Sequence, residues 1–218
     1  MRLHKGKSFL APPKLFKADR ALYFPNLYGQ TLLKDKHLRD TTPELEDKIS
    51  IISVFSSAWA ENQAATFASE TNNPELHKAV RSSGGAAQLI HINIEENALK
   101  HMLIRLFMPG LRKKFGVDDW KRYFVIKKGI SDEIRDAIGL LNSKVGYTYL
   151  LDENCKIRWA GSGPAQVEER EGLVRGVRRL LDDLRLNGKD RAPGTAQRRV
   201  APVKTIPVKA QGAATSVA

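Results

Sequence analysis

Apolar residues follow two alternating periods along this chain. Residues 49–55 (ISIISVF) form a short β-branched run of the kind that fills a buried strand. Residues 57–70 then read as an alanine-rich helix, with Trp59, Gln63 and Phe67 spaced four apart. Turn formers at Asn72-Asn73-Pro74 and Gly84-Gly85 predict breaks. Residues 88–94 (QLIHINI) set Leu89 and His91 against Ile90, Ile92 and Ile94, the period of a strand. The stretch 97–115 is helical, with an interruption expected at Pro109-Gly110. Another short strand follows at 123–126. Ser131 caps a helix with Asp132 and Glu133 in its first turn and Ile134, Ile138 and Leu141 as its apolar stripe. Residues 147–151 and 156–160 read as strands joined by a hairpin turn, Asp152-Glu153-Asn154-Cys155. Pro164 opens a last helix with Val167, Val174, Val177, Leu181 and Leu184 on its buried face, and Asn187-Gly188 marks its stop.

The order β-α-β-α-β-α-β-β-α predicts parallel pairing among the early strands and an antiparallel hairpin at the end. The fold class is therefore α/β and thioredoxin-like, a mixed sheet flanked by helices. Charge divides the chain further. Residues 1–40 carry nine Lys/Arg against three Asp/Glu, and residues 187–218 carry six against one. Residues 41–186 are nearly neutral, so the net charge of +12 belongs to the ends. The expected organisation is a basic N-terminal arm (1–40), a thioredoxin-like domain (41–186) and a disordered basic tail (187–218). Basic ends suit anionic lipid, acidic protein surfaces or RNA. No run approaches the roughly 18 apolar residues of a spanning helix. The first residues are polar and basic with no secretory apolar run, and acid-poor in the manner of a mitochondrial presequence, although Pro12-Pro13 interrupts an amphipathic helix there.

Redox chemistry fails at its usual place. In a thioredoxin-like domain a CxxC pair sits where the first long helix leaves its strand, its thiolate stabilised by the helix N-terminus. With Trp59 as the tryptophan before that pair, the two positions are Ala60 and Gln63. Neither holds a thiolate, so disulfide exchange is excluded there. No proline stands near Gly146, where thioredoxins place one before the hairpin. Cys155, the single cysteine, falls in the hairpin turn far from the junction and reads as a tolerated surface or hairpin residue. The histidines His4, His37, His77, His91 and His101 show no metal-ligand spacing. Gly161-Ser162-Gly163 lacks the frame of a phosphate-binding loop. Ser56 and Ser57 have no base beside them in the sequence. The reading is a non-enzyme with no cofactor and no metal.

Two segments are more specific. One is 21–32, ALYFPNLYGQTL; the other is 146–152, GYTYLLD, continuing into 156–165, KIRWAGSGPA. Together they resemble the fungal mitochondrial ATP synthase assembly factors that chaperone subunit a (subunit 6). The resemblance implies a chaperone peripheral to the matrix side of the inner membrane, binding newly made subunit a and promoting its association with the subunit c ring. Two candidate partner-binding regions fit a binding role. Tyr23, Phe24, Leu27 and Tyr28 form an aromatic cluster that either packs on the core or covers apolar client surface. In the run 102–108, Met102, Phe107 and Met108 belong to an almost wholly apolar stretch followed by Arg112 and Lys113. That run is either a helix buried on two sides or a client-docking face with cations near acidic headgroups. Rival readings are a mitochondrial RNA- or ribosome-associated protein using the basic ends, and a degenerate peroxiredoxin-like enzyme. The near-neutral middle and the absence of an aromatic RNA-binding sheet weigh against the first.

Overall fold

The computed structural model describes residues 7–95, 98–127 and 130–190. The elements are β1 (Tyr28–Thr31), β2 (Leu38–Asp40), α1 (Thr42–Leu45), β3 (Ile49–Phe55), α2 (Ala58–Ala68), α3 (Pro74–Arg81), β4 (Ala87–Ile94) and α4 (Ala98–Lys114). A 3-10 turn at Val117–Arg122 leads into β5 (Tyr123–Ile126), α5 (Asp132–Ala137), β6 (Tyr147–Leu151), β7 (Ile157–Ser162) and α6 (Val167–Asp190). One seven-stranded sheet runs in the order β2-β1-β5-β4-β3-β6-β7. The central strands β3, β4 and β5 are parallel, while β6 and β7 form an antiparallel hairpin against β3. Strand β3 is buried at all seven positions, which explains its unbroken apolar run: both faces of the sheet are covered.

Those faces hold different cores. On one, Ile52, Val54, Ile90 and Ile92 pack with Tyr147 and Tyr149 and with Phe24 and Leu27 from the N-terminal segment. On the other, Ile49 and Ile51 pack with Phe67 of α2, Trp159 of β7 and the α6 stripe Leu173, Val177, Leu180 and Leu181. Parallel β3-α2-β4, then an antiparallel β6–β7 hairpin and a final helix, is the thioredoxin-like arrangement.

Several expectations change. The boundary at residue 41 has no structural counterpart, because β1 and β2 from the supposed arm complete one end of the sheet. Residues 7–24 wrap the outer edge of β7 at its other end. Phe16 N–H donates to the Arg158 carbonyl (2.7 Å), Ile157 N–H to Leu22 (2.8 Å), and Phe24 N–H to Cys155 (2.9 Å). Trp159 Nε1–H donates to the Pro12 carbonyl (2.9 Å). Lys7 is pinned beneath this strap: its ammonium lies 2.7 Å from Glu169, with both side chains buried, and donates to the Ser162 carbonyl (2.9 Å). The break at Asn72-Asn73-Pro74 is present, between α2 and α3, and it is also a helix start. Asn73 accepts from Leu76 N–H (3.2 Å) and Pro74 occupies the first turn of α3. Pro109 does not interrupt α4; it sits on the exposed side of a continuous helix. α6 runs past Asn187-Gly188 to Asp190, so the tail expected from 187 begins inside a helix. Residues 191–218 of that tail lie outside the described residues.

Candidate functional site

The place where a thioredoxin-like protein would carry its thiols is well defined. Ser57 caps α2, its side chain accepting from Ala60 N–H (3.2 Å), and Ser56 Oγ–H donates to the Ser143 carbonyl. Trp59 projects outward, 59% exposed, while Ala60 is fully buried against Phe55 and Met108. Gln63 turns inward and its Oε1 accepts the buried backbone N–H of Gly146 (2.9 Å). The second cysteine position is thus occupied by a side chain that ties α2 to the loop before β6. Gly146 leaves no room in that joint: a Cβ there would lie 2.0 Å from the Ala60 carbonyl oxygen. Beside it, a cavity of ≈ 250 Å3 is bounded by Ser56, Ser57, Glu95, Arg135 and Lys144.

Cys155 takes no part. Of the two places expected for it, surface or hairpin, it takes the second: it is buried in the β6–β7 turn and adopts φ +60°. Burial, with Glu46, Asp152 and Asp47 nearby, pushes its thiol up to about 11, so it stays protonated and unreactive near neutrality. Among the described residues no cluster of three or more His, Cys, Asp or Glu could hold a metal ion.

The expected partner-binding residues are not brought together. Phe24 and Leu27 are core residues, Phe24 meeting Tyr149 edge-on at 5.7 Å. They therefore cannot cover a client without leaving the core. Tyr23 is 65% exposed beneath the Lys156 ammonium (5.4 Å), and Tyr28 is exposed at the start of β1. On α4, Met108 is 4% exposed and faces the core, whereas Phe107 is 63% exposed. The Met102 side chain lies outside the described residues. Arg112 is a structural cation: Nε–H donates to the Leu32 carbonyl (2.6 Å), and the guanidinium lies 5.8 Å from the Trp120 ring. Lys113 is exposed. Sequence reading missed exposed Trp59 as surface and the Gln63–Gly146 joint, whose partners lie 83 residues apart.

A family model described as ATP10 protein matches residues 1–180. The chain belongs to this family. It is the family that the YFPNL and GYTYLLD segments pointed to. Among curated ATP10 relatives, the chain is 32% identical over 183 residues to the mitochondrial ATPase complex subunit ATP10 of Eremothecium gossypii, covering 82% of this chain and 65% of the relative. It is 33% identical over 180 residues to the protein of that name from Candida glabrata, covering 82% and 64%. It is 30% identical over 189 residues to that from Saccharomyces cerevisiae, covering 81% and 66%. The chain thus spans just under two thirds of the ATP10 relatives it matches. Solved structures similar in chain path include BsSco, a member of the Sco family of cytochrome c oxidase assembly proteins, at 9% identity and TM-score 0.49, covering 75% of this chain and 95% of that one. Another is a secreted thiol-disulfide isomerase from Corynebacterium glutamicum, at 11% identity and TM-score 0.47, covering 84% and 98%.

Proposed function

We propose that this chain is a non-enzymatic assembly factor for the mitochondrial ATP synthase. Its client in this reading is newly made subunit a, which it holds until that subunit joins the subunit c ring. It works from the matrix side as a peripheral protein of the inner membrane. The family match over residues 1–180 carries the reading, since the matched relatives are named for the mitochondrial ATPase complex. The α2 junction supports the non-catalytic part: Ala60 and Gln63 stand where thiols would be, and Gln63 is committed to Gly146. Among the described residues no helix is long and apolar enough to cross a membrane, which agrees with a peripheral position.

An assembly chaperone protects an intermediate. Without it the soluble catalytic sector should assemble, while apolar subunit a, left without partners, is degraded. The test is pulse-labelled mitochondrial translation with crosslinking and native gels, with and without this protein. The expected result is a crosslink to newly made subunit a and its rapid turnover when the protein is missing. Normal stability and assembly of subunit a would sink the reading. Failure of its synthesis would favour an RNA-associated role instead.

A further inference from the structure

A second hollow, ≈ 200 Å3 in volume, lies beneath α2 on the face of the sheet that this helix covers. It exists because α2 presents short side chains here: Ala65 and Ala68 line it where larger residues would fill it. Phe55 and Phe115 form aromatic walls. Ser69 and His77, whose Nε2 lies 2.7 Å from the Ala68 carbonyl, line it from the helical side, and the strands contribute Ser53 of β3 and His91 of β4. These two residues are directly paired in the parallel register, so their side chains stand side by side on one face. Ser53 is 3% exposed, yet neither its hydroxyl nor the His91 ring makes a hydrogen bond among the described residues. The imidazole is held in place by rings instead, stacked on Tyr123 (5.9 Å) and tilted against Phe115 (5.0 Å).

Polar groups of a protein interior find a partner in protein or solvent, so a buried serine hydroxyl beside a half-buried imidazole in an apolar-walled hollow offers adjacent partners to a hydrogen-bonding ligand. The lining also fixes that ligand's charge. Burial drives the His91 imidazole down to about 4, so it is neutral near pH 7. The two ions at the rim, Glu61 and Lys114, are paired with each other at 2.9 Å. With those two ions neutralising each other and His77 held at the Ala68 carbonyl, a carboxylate in the hollow would be buried without a dedicated partner. An apolar cavity of about 150 Å3 is already enough to hold a benzene ring. Aromatic walls favour such a ring edge-on or offset. A hydroxyl group both donates and accepts, so one attached to the ring satisfies serine and imidazole together, whichever imidazole nitrogen carries the proton.

We propose that this hollow binds an uncharged aromatic ring carrying a single hydroxyl, a phenol, with the hydroxyl on Ser53 and His91 and the ring against Phe55 and Phe115. Calorimetric titration of the full chain with phenol, benzene and benzoate tests it. Phenol should bind saturably, benzene should bind about three- to tenfold more weakly for want of the hydrogen bonds, and benzoate should not bind. Ser53→Ala should bring phenol part of the way down to the affinity of benzene, since His91 still bonds the hydroxyl. Ala65→Leu, which fills the hollow, should abolish both while leaving a cooperative thermal transition. Phenol binding no tighter than benzene, or unchanged in Ser53→Ala, overturns the proposal, and Ser53→Ala decides alone if the Ala65 variant fails to fold. N-acetyltyrosinamide separates the two sources of the ring. Binding at least as tight as phenol's assigns the site to a tyrosyl side chain of a partner; phenol binding alone assigns it to a free small molecule.

Discussion

Gly146 and His91 show how single positions are constrained by what surrounds them. The Ala60 carbonyl that a Cβ at Gly146 would strike belongs to helix backbone, which cannot swing aside. Gly146→Ala should therefore cost about 3 kcal/mol or more, since overpacking against backbone has no cheap relaxation; urea unfolding of the variant measures it. His91 makes stability depend on pH. Its value near 4 lies below the ordinary 6.5, so the unfolded chain takes up a proton before the folded one does. This contribution is complete above the unfolded value and is lost as pH falls from about 6.5 to about 4. The full shift corresponds to about 3 kcal/mol, and the opening of the ring onto a hollow reduces it to about 1–2 kcal/mol. Urea midpoints at pH 7 and pH 4.5 should differ less in His91→Gln than in the parent chain. An equal difference would place the acid sensitivity elsewhere.

Among the elements, those with a single strong period were legible. β3 showed burial on both faces of a sheet, β4 the alternation of a strand, and the β6–β7 hairpin was announced by its turn residues. α4 was ambiguous because a nearly continuous apolar run hides which side faces in. The structure resolves this within two neighbours, and the contrast is testable. Met108→Glu places a carboxylate in the core and should destabilise by about 3 kcal/mol or more, whereas Phe107→Glu should leave the thermal midpoint almost unchanged. Equal losses would mean that α4 is covered on both sides. The strap could not be read at all. Phe9, Leu15 and Phe16 follow no period, because residues 7–24 are held by individual bonds to distant carbonyls and side chains rather than by a repeating face. The candidate site was half legible: Ala60 and Gln63 reported the missing thiols directly, but nothing local in the sequence says that Gln63 reaches Gly146.

At the scale of the molecule, the first described residue is fastened to the last helix. Lys7 and Glu169 are 162 residues apart in sequence and form a buried pair. Removing one partner strands the other charge, so Lys7→Ala should cost about 3 kcal/mol, measurable as a lowered thermal midpoint; a neutral result would show that the pair contributes nothing beyond solvation. The same closure orders events in time. A polypeptide that emerges from a ribosome or a translocation pore with its beginning first exposes those early residues longest. Here Phe9 has no berth until Gly139 and Tyr147 have followed it out, and Leu15 and Phe16 none until Arg158 and Gly176 have, since β7 and α6 supply the surfaces those two settle on. The strap therefore waits, apolar and unhoused, for elements that follow it. That interval gives general chaperones a handle on this protein before it has a shape of its own.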